Sequence, residues 1–317
     1  MSDQSARFRE DILAEPATLS ALLETYADRD SPLDGRSFDP ERVVFIGMGS
    51  SRFAALPAAA LLRSRGIDAA VEYASTGAPT PPARGTLAVF VSASGKTPET
   101  VEAGRRHSGM STVVQVTNDV AWDLDESLVL PVHAGEEAGG IACRSFQCTV
   151  AVLLLLCGRI LGEPTDLRPA VSACEHLIAT RESWVGPALG ILGGGPIYTV
   201  APAERLSSAQ QSALMFREAP RIPADACETG DWLHVDVYLT RSPGYRALLF
   251  PGSRFDGAFM DWVERREGTV VAVGSPVPGA ALQIAYPGSD DPLVPLLVET
   301  TVAELLAAEM WARSAAG

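Results

Sequence analysis

Short apolar runs alternating with helical stretches predict an α/β protein: two doubly wound parallel sheets in tandem, each covered by helices on both faces. Two observations carry that prediction. Runs rich in β-branched residues recur with helix-like segments between them. The pattern then restarts after the loop-like Gly162-Glu-Pro-Thr-Asp-Leu-Arg-Pro169, so the 317 residues suit two core-forming units of similar size. The expected boundaries are a helical lead-in over 1–34, a first unit over 35–165 and a second over 166–317.

Taken in order, residues 5–28 carry Ile12, Leu13, Leu19, Leu22, Leu23 and Tyr26 at helical spacing, with Pro16 as a break or restart. An apolar strand from Arg42 runs into Gly47-Met-Gly-Ser-Ser51, and an Ala/Leu-rich helix follows through Ala55 to Arg65. Ala69–Tyr73, Leu87–Val91, Ser111–Thr117 and Leu128–Pro131 read as further strands, and Arg144–Leu161 as a helix. In the second half, helices are expected at about Ala170–Trp184, Glu204–Ala219, Phe259–Arg266 and Val294–Ala315. Strands are expected there at Gly195–Val200, Ala247–Phe250 and Thr269–Val273.

The composition excludes several functions. A net charge of −14 argues against nucleic acid, whose phosphate backbone calls for a basic face, and against an anionic membrane surface. With 47% hydrophobic and 20% charged residues, the chain can bury a large core. Cys143, Cys148, Cys157, Cys174 and Cys227 form no CxxC pair and no metal-site spacing with His107, His133, His176 or His234. They read as buried thiols of a reducing compartment, with no metal and no cofactor. The polar opening Ser2-Asp3-Gln4 does not read as a signal peptide, and the longest apolar run, Val150–Cys157, is too short to span a bilayer. A soluble, cytoplasmic protein is the expectation.

The stretch Thr86–Glu102 carries the clearest chemistry. Strand Leu87–Val91 breaks into Ser92-Ala-Ser-Gly95; Lys96, the only lysine of the chain, comes next. Thr97 then reads as a helix N-cap, with Pro98 and Glu99 in the first turn. Strand, hydroxylated turn and helix N-terminus together make an anion site: free amides and the positive end of the helix dipole face the turn, and the hydroxyls of Ser92, Ser94 and Thr97 add donors. Gly47–Ser51 repeats the arrangement. A βα turn that binds nothing is the plain alternative, as is a solvated Lys96 at a turn tip.

Gly47-Met-Gly-Ser-Ser51, Ser92-Ala-Ser-Gly-Lys-Thr97, and Glu218 with His234 sixteen positions on together resemble the SIS, or sugar isomerase, family. The similarity is greatest to the isomerase half of glutamine–fructose-6-phosphate amidotransferase and covers nearly the whole chain, including the opening Phe8-Arg-Glu-Asp-Ile-Leu-Ala-Glu-Pro16. It implies two flavodoxin-like subdomains per chain, a homodimer whose site is shared between subunits, and a phosphorylated sugar or amino sugar as ligand. Gly49, Ser50 and Ser51 then line the sugar. Ser92, Ser94, Gly95, Lys96 and Thr97 hold its phosphate, and Glu137 and Gly139 lead to the long helix. Glu218 matches the glutamate that moves a proton between neighbouring carbons of the open-chain sugar, and His234 the histidine that assists ring opening. A carboxylate can face both carbons of an enediol(ate), and histidine titrates in the range ring opening needs. Without the resemblance, Glu218 reads equally as a surface glutamate on an amphipathic helix, and His234 as a backbone-bonded core histidine.

The sequence also departs from the pattern. The loop glutamine is Ala93, the loop glutamate is Lys96, and a lysine credited with a catalytic role is Met215. The family's Ser-Thr-Lys run before the long helix is Ala142-Cys-Arg144, and Val235-Asp236 replaces its Gly-Pro. The expected C-terminal tail that covers the sugar and the N-terminal glutaminase domain have no counterpart in this sequence. Three readings stay open: an isomerase or deaminase/deglycase on a hexose or hexosamine phosphate, a phosphosugar-sensing module without chemistry, and the synthase half of a split amidotransferase.

Overall fold

The computed structural model describes residues 2–119 and 127–316, which divide into two compact units. One comprises Ala17–Glu136 and Arg144–Arg168; the other takes the residues up to Pro16, the segment Glu137–Cys143 and everything from Pro169 onward. The chain opens with α1 (Ser2–Leu13) and α2 (Glu15–Ala27), separated at Ala14, two residues before Pro16.

The first unit continues with β1 (Arg42–Gly47), α3 (Gly49–Ser64), β2 (Asp68–Tyr73), β3 (Thr86–Val91), α4 (Pro98–His107), β4 (Thr112–Thr117), β5 (Leu128–Pro131) and α5 (Arg144–Leu161). All pairings are parallel, in the order β2-β1-β3-β4-β5. Every residue of β3 is buried, as a central strand covered on both faces requires. α5 is long and apolar enough to cross a membrane by length and composition, yet 78% of it is buried inside the protein, where it packs on α3 as a core helix. The Tyr26 hydroxyl ties α2 to the end of β5 by donating to the Pro131 carbonyl at 2.8 Å.

The second unit holds α6 (Arg168–Leu192), β6 (Ile197–Ala201), α7 (Leu206–Glu218), β7 (Ala224–Glu228), α8 (Thr229–Trp232), β8 (Arg246–Leu249), α9 (Asp256–Arg265), β9 (Thr269–Val273), β10 (Leu282–Ile284) and α10 (Val294–Ala316). Its sheet runs β10-β9-β8-β6-β7, again all parallel. Counted within its own unit, this is the strand order of the first sheet, so the two halves repeat one topology. Two strands were not expected. β7 and β10 are the edges, paired on one side only; their residues are mixed in polarity, so an apolar-run criterion passes over them. α6 runs past its expected end at Trp184 and through Pro187, because Ala188, Leu189 and Leu192 are still buried.

α10 packs on both α1 and α7. Gly139 lies against α1 so closely that a Cβ there would stand 2.5 Å from the Phe8 Cα, which excludes any side chain. Buried carboxyls are unusually frequent in this core. Glu15 accepts from the Thr301 hydroxyl at 2.8 Å and is hydrogen-bonded to Glu304. Burial raises the affinity of both groups for a proton, that of Glu304 well above the ordinary carboxylate range, with the neighbouring Glu15 adding to the effect.

Candidate functional site

Ligands of doubly wound sheets bind beyond the carboxyl ends of the strands where the strand order reverses. In the first sheet that point lies between β1 and β3, and both Gly/Ser turns fall there. Gly47 ends β1 where a Cβ would stand 3.1 Å from the Val91 carbonyl oxygen and 3.2 Å from the Arg52 amide, so a larger residue would push the two turns apart. Gly49 takes φ +50°, the left-handed region, to swing the chain into α3. Ser50 and Ser51 form its first turn, half-buried, and neither hydroxyl has a hydrogen-bond partner among the described residues.

The second turn is pinned from behind. Ser92 N–H donates to the Val116 carbonyl at 3.0 Å; the Ala93 carbonyl accepts from the amides of Asn118 and Asp119 at 2.9 and 3.0 Å and from the Thr117 hydroxyl at 3.3 Å. Gly95, at φ +63°, donates to the Ser92 carbonyl at 3.0 Å. Thr97 stands at the N-cap of α4 as expected, but its hydroxyl does not cap the helix. It meets the Ser92 hydroxyl at 3.0 Å, because the Thr97 side chain faces across the turn rather than over the first helical amides. The first-turn amides of α4 therefore keep the anion-binding character expected of a helix N-terminus. Two helix N-termini, three serine hydroxyls (Ser50, Ser51 and Ser92) and Thr97 are gathered at one end of one sheet.

Lys96 is exposed, and its ammonium pairs with Asp119 at 2.9 Å. Asp119 escaped the sequence reading because it follows a different strand, β4. So did Arg52, one residue past the serine pair, whose guanidinium lies over the ring of Tyr73.

Glu218 and His234 belong to the other unit. Glu218 is the last residue of α7 and reaches solvent, yet neighbouring atoms screen its carboxyl; desolvation, reinforced by the negative Glu137, raises it above the usual carboxylate range against the opposing pull of Arg217. Glu137 itself accepts from the Cys143 amide at 2.7 Å. His234 lies exposed in the turn after α8, its amide donating to the Asp231 carbonyl at 2.9 Å, so it is no core histidine. Glu218 and His234 share no hydrogen bond.

No family model matches the chain. It is 26% identical over 305 residues to the isomerizing glutamine–fructose-6-phosphate aminotransferase of Zymomonas mobilis, a match covering 84% of this chain and 48% of that protein. The chain thus spans about half the length of that curated relative. It superposes on the C-terminal domain of glucosamine-fructose-6-phosphate aminotransferase from Francisella tularensis with a TM-score of 0.79 at 15% identity, covering 97% of this chain and 95% of that one. The chain has the tandem SIS fold. The chain also superposes on a glucosamine-6-phosphate deaminase from Thermotoga maritima with a TM-score of 0.71 at 17% identity, covering 97% of this chain and 95% of that one.

Against the SIS pattern, Met215 is the telling departure. It is fully buried on α7, and its sulfur lies 3.9 Å from the Gln211 amide nitrogen, which also donates to the Ala142 carbonyl at 3.1 Å. Where the synthase pattern carries a lysine, this chain packs an apolar side chain into the core.

Proposed function

We propose that this chain binds a phosphorylated hexose or hexosamine and acts on it as an isomerase or deaminase through proton transfer between neighbouring sugar carbons. One observation carries the binding half: hydroxyls of Ser50, Ser51, Ser92 and Thr97 and the N-termini of α3 and α4 converge at the switch point of the first sheet. Such a set matches the oxygens of a dianionic ester, each amide or hydroxyl donating one hydrogen bond. The relatives' names favour the same ligand class, since they speak of fructose 6-phosphate and glucosamine 6-phosphate.

Glu218 is the proton shuttle in this reading and His234 the acid that assists ring opening. The raised affinity of Glu218 for its proton suits a group that must both take and return one. We assign the working form to a homodimer: Val235, Tyr238 and Leu239, beside His234, are exposed apolar residues that a second copy would cover, and light scattering reads the mass. Five buried cysteines, none of them in a disulfide, support a cytoplasmic setting.

A thermal-shift series with fructose 6-phosphate, glucosamine 6-phosphate and the unphosphorylated sugars tests binding; only the phosphates raise the melting temperature, by mass action. Sugar interconversion and ammonia release on the same panel separate isomerase from deaminase. Glu218→Gln lowers turnover about 10²–10⁴-fold while keeping the thermal shift. In the wild type, the rate rises with pH through a value above the ordinary carboxylate range, because the base must be ionised. A second reading rests on Met215: a phosphosugar sensor without chemistry, which predicts a thermal shift, no turnover on any of these sugars and no response to Glu218→Gln.

A further inference from the structure

Two carboxyls meet in the core of the second unit, away from the cradle. Glu15 is the first residue of α2, and its side chain enters between α6 and α10: Oε2 accepts from the Thr301 hydroxyl at 2.8 Å and from the Cys174 thiol at 3.6 Å. Glu304, three residues after Thr301 on α10, is fully buried, and Glu15 nearly so. The charges that bear on the pair are negative, Glu15 on Glu304 and Glu137 on both. Arg9 of α1 pairs instead with Glu309, farther along α10, and Glu175 and His176 beside Cys174 are exposed.

Ionised carboxylates only accept hydrogen bonds. With both charges present, Glu15 Oε1 and the two oxygens of Glu304 are buried without a donor. Like charges held out of water without a cation are costly as well. One proton relieves both, because the protonated carboxyl donates to its neighbour and the pair closes on itself. Desolvation is the main reason that each group holds a proton more tightly in the folded chain, and the negative neighbours add to it.

The elements joined here give that proton a mechanical consequence. Glu15 anchors the end of α1, which packs on α10. α1 in turn holds the segment Glu137–Cys143: the Gly139 amide donates to Asp11 Oδ2 at 2.7 Å, and the Gly139 carbonyl accepts from Gln4 Nε2 at 3.2 Å. At its other end the segment meets α7, where the Ala142 carbonyl accepts from Gln211. We propose that Glu15 and Glu304 form a proton-operated latch: one shared proton keeps α1 fastened to α10, and its loss frees α1 and the Glu137–Cys143 segment while the sheet stays folded. The latch is independent of the ligand that the first sheet takes, although its opening reaches the helix that ends in Glu218.

Hydrogen–deuterium exchange of the full chain from about pH 5 to pH 9 tests this, each rate being compared with that of the unfolded chain at the same pH. The folded state holds the proton more tightly, so the latch is fully fastened below the ordinary carboxylate value of 4.5 and weakens as pH rises. Protection of α1 and of the Glu137–Cys143 segment falls by up to about tenfold per pH unit, the limit for one proton. Both approach the unfolded rate at a pH where β8 and β9 are still protected. Glu304→Gln does not ionise and donates to Glu15 at every pH, so α1 stays protected there. Glu299→Gln, which removes another titrating carboxyl of α10, leaves the fall in place. Wild-type α1 protection that does not change with pH overturns the latch, even where Glu304→Gln does not fold. So does loss of β8 and β9 together with α1, which is unfolding of the whole unit. Protection restored at high pH by potassium or magnesium chloride, against tetramethylammonium chloride at the same ionic strength, overturns it in favour of a bound cation.

Discussion

The two sheets share a strand order, yet their switch points are filled in opposite ways. At the first, the turns after β1 and β3 present serine hydroxyls and open helix N-termini. At the second, the turn after β6 supplies Arg205, whose guanidinium donates to the Pro251 carbonyl in the turn after β8 and pairs with Glu299 of α10. Gly252 in that turn takes φ +144°, and a Cβ on it would stand 2.5 Å from Arg205 Nη2, so the turn is shaped around the arginine. Glu299 is fully buried and Arg205 nearly so. Topology alone therefore makes no site; one crevice keeps its donors for a ligand, and the other spends its cation on the protein's own carboxylate.

The largest expected effect comes from emptying the second crevice. Arg205→Ala leaves the Glu299 carboxyl buried without its partner and, at a pH where that carboxyl is ionised, lowers stability by about 3–5 kcal/mol, read as a drop in the urea midpoint at constant m. The thermal shift with fructose 6-phosphate persists in this variant. Its loss there, together with its survival in Ser92→Ala, would move the ligand to the second sheet.

Titration sharpens the same contrast. Burial pushes Glu299 up to about 7, with Arg205 pulling the other way. The folded state thus holds this proton more tightly than the unfolded chain does. Glu299 contributes a stability that declines as pH rises from its ordinary value of 4.5 to about 7, by at most about 1.4 kcal/mol per pH unit. Urea unfolding at several pH values shows that decline, and Glu299→Gln flattens it. In Arg205→Ala the decline continues above pH 7, because the opposing charge is gone.

A smaller effect is expected at the open crevice. Ser92→Ala removes one donor and leaves the Thr97 hydroxyl without its 3.0 Å partner. Affinity for sugar phosphates falls about five- to thirtyfold, the worth of a hydrogen bond to a charged group, while the melting temperature without ligand moves little. The smallest effect belongs to Lys96→Ala. Its pair with Asp119 is exposed, with 70% of the lysine side chain open to water, so stability changes by less than about 1 kcal/mol and the change fades with added salt. A loss of phosphate affinity as large as that of Ser92→Ala would instead make Lys96 a principal ligand.

Much of this architecture is legible in the residues themselves. Central strands such as Thr86–Val91 are apolar because both of their faces are covered, and that pattern needs no coordinates to see. Edge strands Ala224–Glu228 and Leu282–Ile284 carry no such pattern, since one side of each is unpaired and their composition is free to vary. Thr97 shows the limit of local rules: its N-cap position is readable, but the partner of its hydroxyl depends on how the turn folds back on Ser92. Asp119 and Tyr73 reach Lys96 and Arg52 from other strands, and no spacing along the chain announces that.

By itself, the sequence determined the α/β class, the parallel sheets and the small hydroxylated turns, because each follows from short-range periodicity and the chemistry of glycine, serine and a helix start. Only the tertiary structure decided which of two equivalent switch points stays open. That choice is made by residues far apart in the chain, Arg205, Pro251 and Glu299, meeting in a crevice whose low dielectric makes their pairing strong.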